Sequence, residues 1–354
     1  MELSPRKMRL LQAIIDDYIA TAVPVGSRTI SRKYMSEYSA ATIRNEMSDL
    51  EEMGLLEQPH TSAGRVPSDL AYRIYVDRLL QVGELTNDEA TNVRRYFGRR
   101  MDEMEQVVKN AARVLSDLTD YTSLVLAPQL AKTTVKRLQL VPVTQGTALV
   151  VLVTDAAIVK DTIIRVPQDM TSDELHGISE ALTRRFAGRS IAEININTVD
   201  EILRDLALHR QFFETLTETL SRSANTEQND MVLDGAYNIF HHPEYRNDME
   251  RAQSFLMAMG ATDKLQEMLA RSTRWEFTIT IGRENDIDAL KNNSVVTATY
   301  KLGDRPVGSL GVIGPTRMDY NRVIRLLNHI SQSLGEIVGN MLGEGQQNDK
   351  GDHA

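Results

Sequence analysis

The stretch SAATIRNEMSDLEEMG, residues 39–54, predicts one amphipathic helix with both of its ends marked in the sequence. Ser39 is a typical N-cap residue, and Gly54 is a typical helix stop. Ile43, Met47 and Leu50 recur at helical spacing, which places them together on one buried face. The other face therefore offers polar and basic side chains to solvent at the start of this helix.

The segments on both sides of this helix also carry signals for helices and short strands. Ser4-Pro5 starts a first helix, because Ser suits the N-cap and Pro suits the first helical position. The sequence then predicts a short helix from Ser27, the helix of residues 39–54, and two short strands joined by the loop of residues 60–67. Ser68 starts a further helix. Three helices followed by a hairpin predict a helix-turn-helix with a β-hairpin wing over residues 1–80.

A module of this kind presents the start of its third helix to the major groove of DNA. Arg44 and Asn45 lie there, and these residue types form bidentate hydrogen bonds with guanine and adenine. For any one residue an ordinary solvated surface is the competing interpretation, and only their clustering favours DNA. Arg65, Thr61 and Ser62 are expected at the tip of the wing, where they could contact phosphates. The residues predicted to contact DNA are Ser27, Arg28, Arg32, Lys33, Ser39, Thr42, Arg44, Asn45, Thr61, Ser62 and Arg65.

The overall charge argues at first against a nucleic-acid binder. The chain of 354 residues has 40 basic and 49 acidic residues, a net charge of -9. Residues 1–80, however, hold 10 basic and 11 acidic residues, so their balance is only -1. Within them, residues 27–44 hold four basic residues and one acidic residue. We therefore expect a weakly charged module that depends on base contacts and on two copies, with salt-sensitive phosphate contacts.

The remainder of the chain predicts a linker helix and one α+β domain with an insertion. Residues 81–120 form the linker helix, which either packs on the next domain or acts as a rigid lever. Strands are predicted in two blocks, and we expect both blocks in one domain of residues 121–221 and 271–343, because two small sheets would each bury too little surface. Residues 222–270 would then be a mainly helical insertion, and residues 344–354 a disordered tail.

The predicted insertion is rich in methionine. Residues 231–268 hold five of the 15 Met residues of the chain, and Met suits adaptable apolar surfaces. A small helical core and a self-association surface are both compatible with this composition. The second is favoured, because the insertion is too small to cover its own large apolar side chains. We expect Met249, Phe255, Leu256 and Met259 to lie in a homodimer interface.

Several classes of function are excluded by the sequence. The absence of Cys excludes disulfides, thiol nucleophiles and Cys-type metal sites, and it suits a reducing cytoplasm. No apolar run approaches the ~18 residues of a membrane span. His241-His242 lacks a metal-ligand pattern, and the glycines at 308, 311 and 314 match no phosphate-binding motif. We expect a cytoplasmic protein without catalytic residues, metal, cofactor or membrane partner, and hence not an enzyme.

Four stretches of the sequence are distinctive: PVGSR (24–28), SAATIRNEM (39–47), HTSAGRVP (60–67) and GSLGVIGPTRM (308–318). Together they resemble the bacterial heat-inducible transcription repressor family HrcA. The resemblance covers essentially the whole chain except the polar tail. It implies the α+β fold class, with an N-terminal winged helix-turn-helix domain, a GAF-like α+β domain and an inserted, mainly helical dimerisation domain.

The resemblance also implies a function and partners. It implies a negative regulator of class I heat-shock genes, which as a homodimer binds the inverted repeat CIRCE upstream of the groESL and dnaK operons. It further implies that the GroEL chaperonin keeps the repressor active until unfolded proteins occupy the chaperonin during heat stress. A second hypothesis is a transcription regulator whose GAF-like domain senses a small effector, and it rests on fold analogy alone.

Overall fold

The computed structural model describes residues 3–60, 63–80, 82–97, 104–128, 134–154, 159–189 and 231–344. The helices are α1 (Pro5–Thr21), α2 (Ser27–Lys33), α3 (Ala40–Glu52), α4 (Asp69–Ile74), α5 (Asn87–Phe97), α6 (Met104–Thr119), α7 (Ser172–Phe186), α8 (Pro243–Arg246), α9 (Met249–Gly260), α10 (Thr262–Ser272) and α11 (Tyr320–Glu344). The strands are β1 (Leu56–Glu57), β2 (Val66–Pro67), β3 (Thr122–Leu126), β4 (Val135–Thr144), β5 (Thr147–Thr154), β6 (Val159–Arg165), β7 (Met231–Asp234), β8 (Phe277–Ile281), β9 (Asn293–Leu302) and β10 (Arg305–Pro315). The chain is therefore of the α+β class, as predicted.

The chain forms two compact units. Unit 1 contains residues 1–125, 231–300 and 309–333, and unit 2 contains residues 126–230, 301–308 and 334–354. No helix of the described residues is long and apolar enough to cross a lipid bilayer.

The N-terminal module, residues 3–80 of unit 1, follows the predicted order of helices and hairpin. The Ser39 hydroxyl accepts a hydrogen bond from the Thr42 amide over 3.1 Å, so it caps α3 as predicted. β1 and β2 pair antiparallel, with Leu56 opposite Pro67. The helices bury the aliphatic side chains that recur at helical spacing, and each contributes roughly 1.5–3 kcal/mol to stability. These core residues are Leu10, Leu11, Ile14, Ile15, Ile30, Ile43, Met47 and Leu50.

Gly64 allows the hairpin to lie against the chain segment that precedes α2. A Cβ atom at this position would lie 2.5 Å from the carbonyl carbon of Val25. Val25 and Arg65 exchange both of their backbone hydrogen bonds, over 2.8 and 2.9 Å. Position 64 therefore requires a residue without a side chain, because the hairpin lies directly against the backbone of the segment before α2.

Unit 1 is built on a five-stranded sheet with the order β7-β3-β10-β9-β8. β3 pairs antiparallel with β10, so that Val125 lies opposite Leu310. Thr86 and Glu89 exchange two hydrogen bonds at the start of α5 and so form a capping box. α6 packs into this unit, since the Ser123 hydroxyl of β3 donates to the Ala112 carbonyl over 2.6 Å. Residues 98–103, the middle of the predicted linker helix, lie outside the described residues.

Unit 2 contains a separate antiparallel sheet with the order β4-β5-β6. Along β5, Ala148, Val150 and Leu152 are buried, and they share one core with the inner face of α7. A capping box of Thr171 and Glu174 lies at the start of α7. The small sheet is thus stabilised by α7, which covers its apolar face and provides the second layer of the core.

The structure therefore divides the chain differently from the predicted boundaries. The two blocks of strands do not form one sheet, because β4, β5 and β6 separate from β3 and make their own sheet. The helices of residues 243–272 lie in unit 1 and not in a unit of their own. The Ser309 hydroxyl of β10 donates to the Leu269 carbonyl of α10 over 2.8 Å, which ties these helices to the five-stranded sheet. The predicted disordered tail falls almost entirely outside the described residues.

Candidate nucleic-acid interface

The start of α3 exposes the two residues that are expected to contact bases. Arg44 and Asn45 are exposed, and Thr42 is half-buried beside them. Ile43 and Met47 point into the core of the module, so the orientation of α3 is fixed by apolar burial. The cap at Ser39 fixes where the helix begins. The predicted outward face of α3 is therefore present in the structure.

α2 adds two further exposed cations, Arg28 and Arg32. Lys33 differs from them, because its ammonium group donates to Asp17 Oδ1 over 2.7 Å. The hydrogen bond with Asp17 holds the pKa of Lys33 above its ordinary value, with a smaller contribution from Tyr34. Ser27, the first residue of α2, is half-buried. Of the predicted phosphate contacts on α2, Lys33 is thus already paired within the protein.

The hairpin places Arg65 at its base and not at its tip, where it was expected. Arg65 directly precedes β2, and its guanidinium Nε donates to Glu51 Oε2 of α3 over 2.8 Å. Its backbone is held by Val25. The residues between β1 and this base include Thr61 and Ser62, which lie outside the described residues.

A polar cleft of about 490 Å³ lies between α2, α3 and the hairpin. Ser27 lines the cleft from α2, Arg44 and Ser48 line it from α3, and Gln58 and Arg65 line it from the hairpin. The cleft therefore brings together three of the residues predicted to contact DNA from three different elements.

The ion pairs of the N-terminal module leave few cations without a partner. Several acidic side chains are matched by basic ones: Glu46 by Arg6, Asp49 by Lys7, Glu37 by Arg9, Asp17 by Lys33 and Glu51 by Arg65. Arg28, Arg32 and Arg44, in contrast, form no ion pair with any described residue. The cationic groups that are free to meet a polyanion are thus concentrated on α2 and the start of α3.

Comparisons with known proteins identify the family of this chain. A family model described as the HrcA protein C terminal domain matches residues 105–324. The heat-inducible transcription repressor HrcA of Clostridium botulinum (strain Alaska E43 / Type E3) is 41% identical over 345 residues, which cover 96% of this chain and 99% of that protein. This chain belongs to the HrcA family. The repressor of the same name from Ruminiclostridium cellulolyticum is 40% identical and covers 98% of this chain and 100% of its own length.

A solved structure shares the fold of this HrcA-family chain. It is described as the crystal structure of a hypothetical protein at 2.2 Å resolution, and it aligns with a TM-score of 0.58. The sequence identity is 24%, and the alignment covers 96% of this chain and 98% of the other.

In this HrcA-family chain, α4 attaches the N-terminal module to the rest of unit 1, which the sequence did not reveal. Arg73 donates from Nε to Glu284 Oε1 over 2.9 Å and from Nη2 to the Ile279 carbonyl over 2.6 Å. Burial opposes ionisation of Glu284, but the hydrogen bonds from Arg73 and from the Ile281 amide outweigh it and lower the pKa of the carboxyl. Nearby, Asp69 accepts from the Arg283 amide over 3.1 Å.

The residues expected in a homodimer interface separate into two groups. Phe255 and Met259 are 1% and 5% exposed, so in this chain they are core residues. Their surface is covered because α9 packs within unit 1, which the predicted independent insertion did not anticipate. Leu256 is half-buried and Met249 is 69% exposed, and these two side chains remain accessible to a second copy.

The paired histidines have local structural roles. His241 lies 2.7 Å from Asp120 Oδ1, and the His242 ring lies 3.0 Å from the Asp120 carbonyl and stacks on Tyr121. Within the part of the chain that the structure describes, no three His, Asp or Glu side chains are arranged to hold a metal ion.

Proposed function

We propose that this protein is a heat-inducible transcription repressor that binds double-stranded DNA and keeps heat-shock genes inactive at normal temperature. The observation that carries the proposal is the surface formed by Arg28, Arg32, Arg44 and Asn45. Its three cations have no partner among the described residues, and it borders a polar cleft of about 490 Å³. The names of the HrcA relatives support the same activity.

In this proposal the N-terminal module is a winged helix-turn-helix domain, and the five-stranded sheet of unit 1 belongs to a GAF-like domain. α3 enters the major groove, where Arg44 and Asn45 contact base edges. The surrounding residues contact phosphates and fix the register of the protein on the duplex. These are Ser27, Arg28, Arg32, Lys33, Ser39, Thr42 and Arg65, together with Thr61 and Ser62 of the hairpin. Lys33 and Arg65 exchange their present carboxylate partners for phosphates on binding.

We further propose that the repressor acts as a homodimer on the inverted repeat CIRCE in the cytoplasm. An inverted repeat matches a protein with two-fold symmetry, because each copy contacts one half-site. Met249 and Leu256 are the predicted interface residues whose surface remains accessible. Sedimentation of Met249→Glu tests their role: a shift towards monomer is expected, and an unchanged dimer would remove Met249 from the interface.

The GroEL chaperonin is the proposed partner that keeps the repressor active. The experiment measures binding to a CIRCE duplex after mild heating, with and without the chaperonin, by fluorescence anisotropy. We expect heated protein to regain its DNA affinity only when the chaperonin is present. Equal affinity in both samples would reject the chaperonin step while leaving DNA binding intact.

A second candidate function, the sensing of a small effector, is favoured by one observation. A groove of about 650 Å³ lies in unit 1 beside the segment that holds Arg73 of α4. Cavities that bind small molecules have volumes of roughly 300–1,000 Å³.

A further inference from the structure

The groove of unit 1 runs between two helices and the segment that follows β8. Its helical wall includes Met257, Ala261 and Met268 of α9, α10 and their junction. Its opposite wall includes Thr278 of β8 and Leu290. The lining combines apolar and charged side chains. Met257 is 67% exposed although its side chain is large and apolar. An apolar molecule in the groove would remove this surface from water, at roughly 25 cal/mol for each Å² covered.

The charged side chains of the lining indicate the sign of the charge that a ligand would carry. Each carboxylate of the lining lies within ion-pair distance of a basic side chain: Glu267 and Asp286 of Arg271, Glu284 of Arg73, and Asp288 of Lys291. The ammonium group of Lys264, at the first turn of α10, lines the groove and forms no ion pair or hydrogen bond with the described residues, although its charge helps to lower the pKa of Asp288. The one charge of the lining that lacks a bonded partner there is therefore positive.

A hydroxyl group of the lining also lacks a partner. Thr278 Oγ1 is buried and has no hydrogen-bond partner among the described residues. The hydroxyl of Thr280, two residues along the same strand, is occupied, because it donates to Asn285 Oδ1 over 2.6 Å. A buried hydroxyl without a partner costs stability unless another group meets it. Thr278 therefore offers a hydrogen bond to a molecule in the groove.

We propose that this groove binds a small amphipathic carboxylate, whose apolar body covers Met257 and Met268 and whose anionic group pairs with Lys264. A further oxygen of such a ligand would accept the hydrogen bond of Thr278. A cationic or purely apolar ligand would leave the Lys264 ammonium group unmatched, so this side chain favours an anion.

The wall of the groove is also the attachment of the N-terminal module. Thr278 and Thr280 flank Ile279, whose carbonyl accepts from Arg73, and Glu284 of the lining holds the same guanidinium. At Gly282, φ is +55°, and a Cβ atom would lie 2.0 Å from Asp69 Oδ2 of α4. A ligand that displaces this wall therefore acts on α4 and alters the affinity for DNA. This last step, unlike the binding itself, rests on the proposed function.

Calorimetric titration of the full chain tests the site, with octanoate, octyltrimethylammonium and octanol as probes of equal chain length. We expect octanoate to bind saturably with one site per chain and more tightly than the other two probes. Lys264→Met should weaken octanoate binding about tenfold, as for the loss of a charged hydrogen bond. The control Lys136→Met removes an exposed lysine of β4 and should bind as the wild type does.

A second pair of variants distinguishes an effect of charge on octanoate binding from a loss of the folded structure. Met257 is exposed, so Met257→Glu and Met257→Lys should both fold, which thermal unfolding checks. The Glu variant should bind octanoate more weakly than the Lys variant. Absence of saturable octanoate binding, equal binding of the cationic probe, or unchanged binding by Lys264→Met would overturn the proposed site. Because these titrations contain no DNA, they succeed or fail independently of the repressor function. DNA affinity that octanoate leaves unchanged, despite binding, would reject only the coupling to α4.

Discussion

The Arg65 guanidinium and the Glu51 carboxylate join the hairpin to the last turns of α3 across 2.8 Å. The pair is formed between the base of the hairpin and the helix proposed to enter the major groove. It orients the wing relative to α3 in the free protein. It also means that the Glu51 carboxylate competes with a phosphate for the Arg65 guanidinium.

Variants of this pair should have opposite effects on DNA binding. Arg65→Ala should weaken binding to all sequences similarly and reduce the salt slope by about 1, because one phosphate contact is lost. Glu51→Gln should tighten non-specific binding, because it removes a competing anion and leaves Arg65 in place. Affinities measured over a series of salt concentrations check both effects. A salt slope that Arg65→Ala leaves unchanged would show that this side chain has only a structural role.

Gly64 should be essential for the shape of the hairpin. In Gly64→Ala the new Cβ atom would lie 2.5 Å from the Val25 backbone, so the hairpin must shift. We expect a loss of about 1–3 kcal/mol in the free energy of unfolding, as for other overpacked sites, together with weaker DNA binding. Urea denaturation measures the loss.

Gly177→Ala is the matched control for this change. Gly177 lies inside α7, and a Cβ atom there meets nothing within 4 Å. Because Ala is a better helix former than Gly, this variant should be neutral or more stable by up to about 1 kcal/mol. Equal stability of both variants would contradict the close approach at Gly64.

His242 should make the stability of the protein depend on pH. Burial lowers the pKa of this imidazole below its ordinary value of 6.5, and it outweighs the opposing hydrogen bond to the Asp120 carbonyl. His242 therefore binds a proton less readily in the folded protein than in the unfolded chain. The stability contributed by neutral His242 is present above pH 6.5 and is lost as the pH falls towards the folded-state pKa.

Thermal unfolding of wild type, His242→Gln and the exposed-site control His176→Gln between pH 7.5 and pH 5.5 checks this dependence. The decrease in Tm on acidification should be smaller in His242→Gln than in the other two proteins. A decrease of the same size in all three would mean that other groups cause the acid sensitivity.

The local features of this fold could be predicted from the sequence, but its long-range pairings could not. The caps at Ser39, Thr86 and Thr171 depend on residues three positions apart, and all three are present. The partition into two sheets depends on β3 pairing with β10, nearly 190 residues later, and no local pattern specifies such a register.

In the candidate site, too, local features could be predicted from the sequence and long-range contacts could not. The outward orientation of Arg44 follows from the helical spacing of Ile43 and Met47, so the sequence predicts it. The pairing of Arg65 with Glu51, and the 211 residues that separate Arg73 from Glu284, depend on the tertiary structure. Phe255 was expected at a surface because its helix was assigned to an independent insertion. In the structure the same apolar side chain is buried within unit 1.

The most direct test is the ratio of affinities for a CIRCE duplex and a scrambled duplex of equal composition, measured for wild type, Arg44→Ala and Arg113→Ala. Arg113 is an exposed arginine of α6 that pairs with Asp117, so its replacement controls for the loss of one positive charge. Arg44→Ala should lower the ratio about tenfold or more, because a bidentate contact with a base contributes roughly 1–3 kcal/mol of discrimination. The ratio should remain unchanged in Arg113→Ala. An Arg44→Ala protein with the wild-type ratio would contradict the assignment of α3 to base recognition.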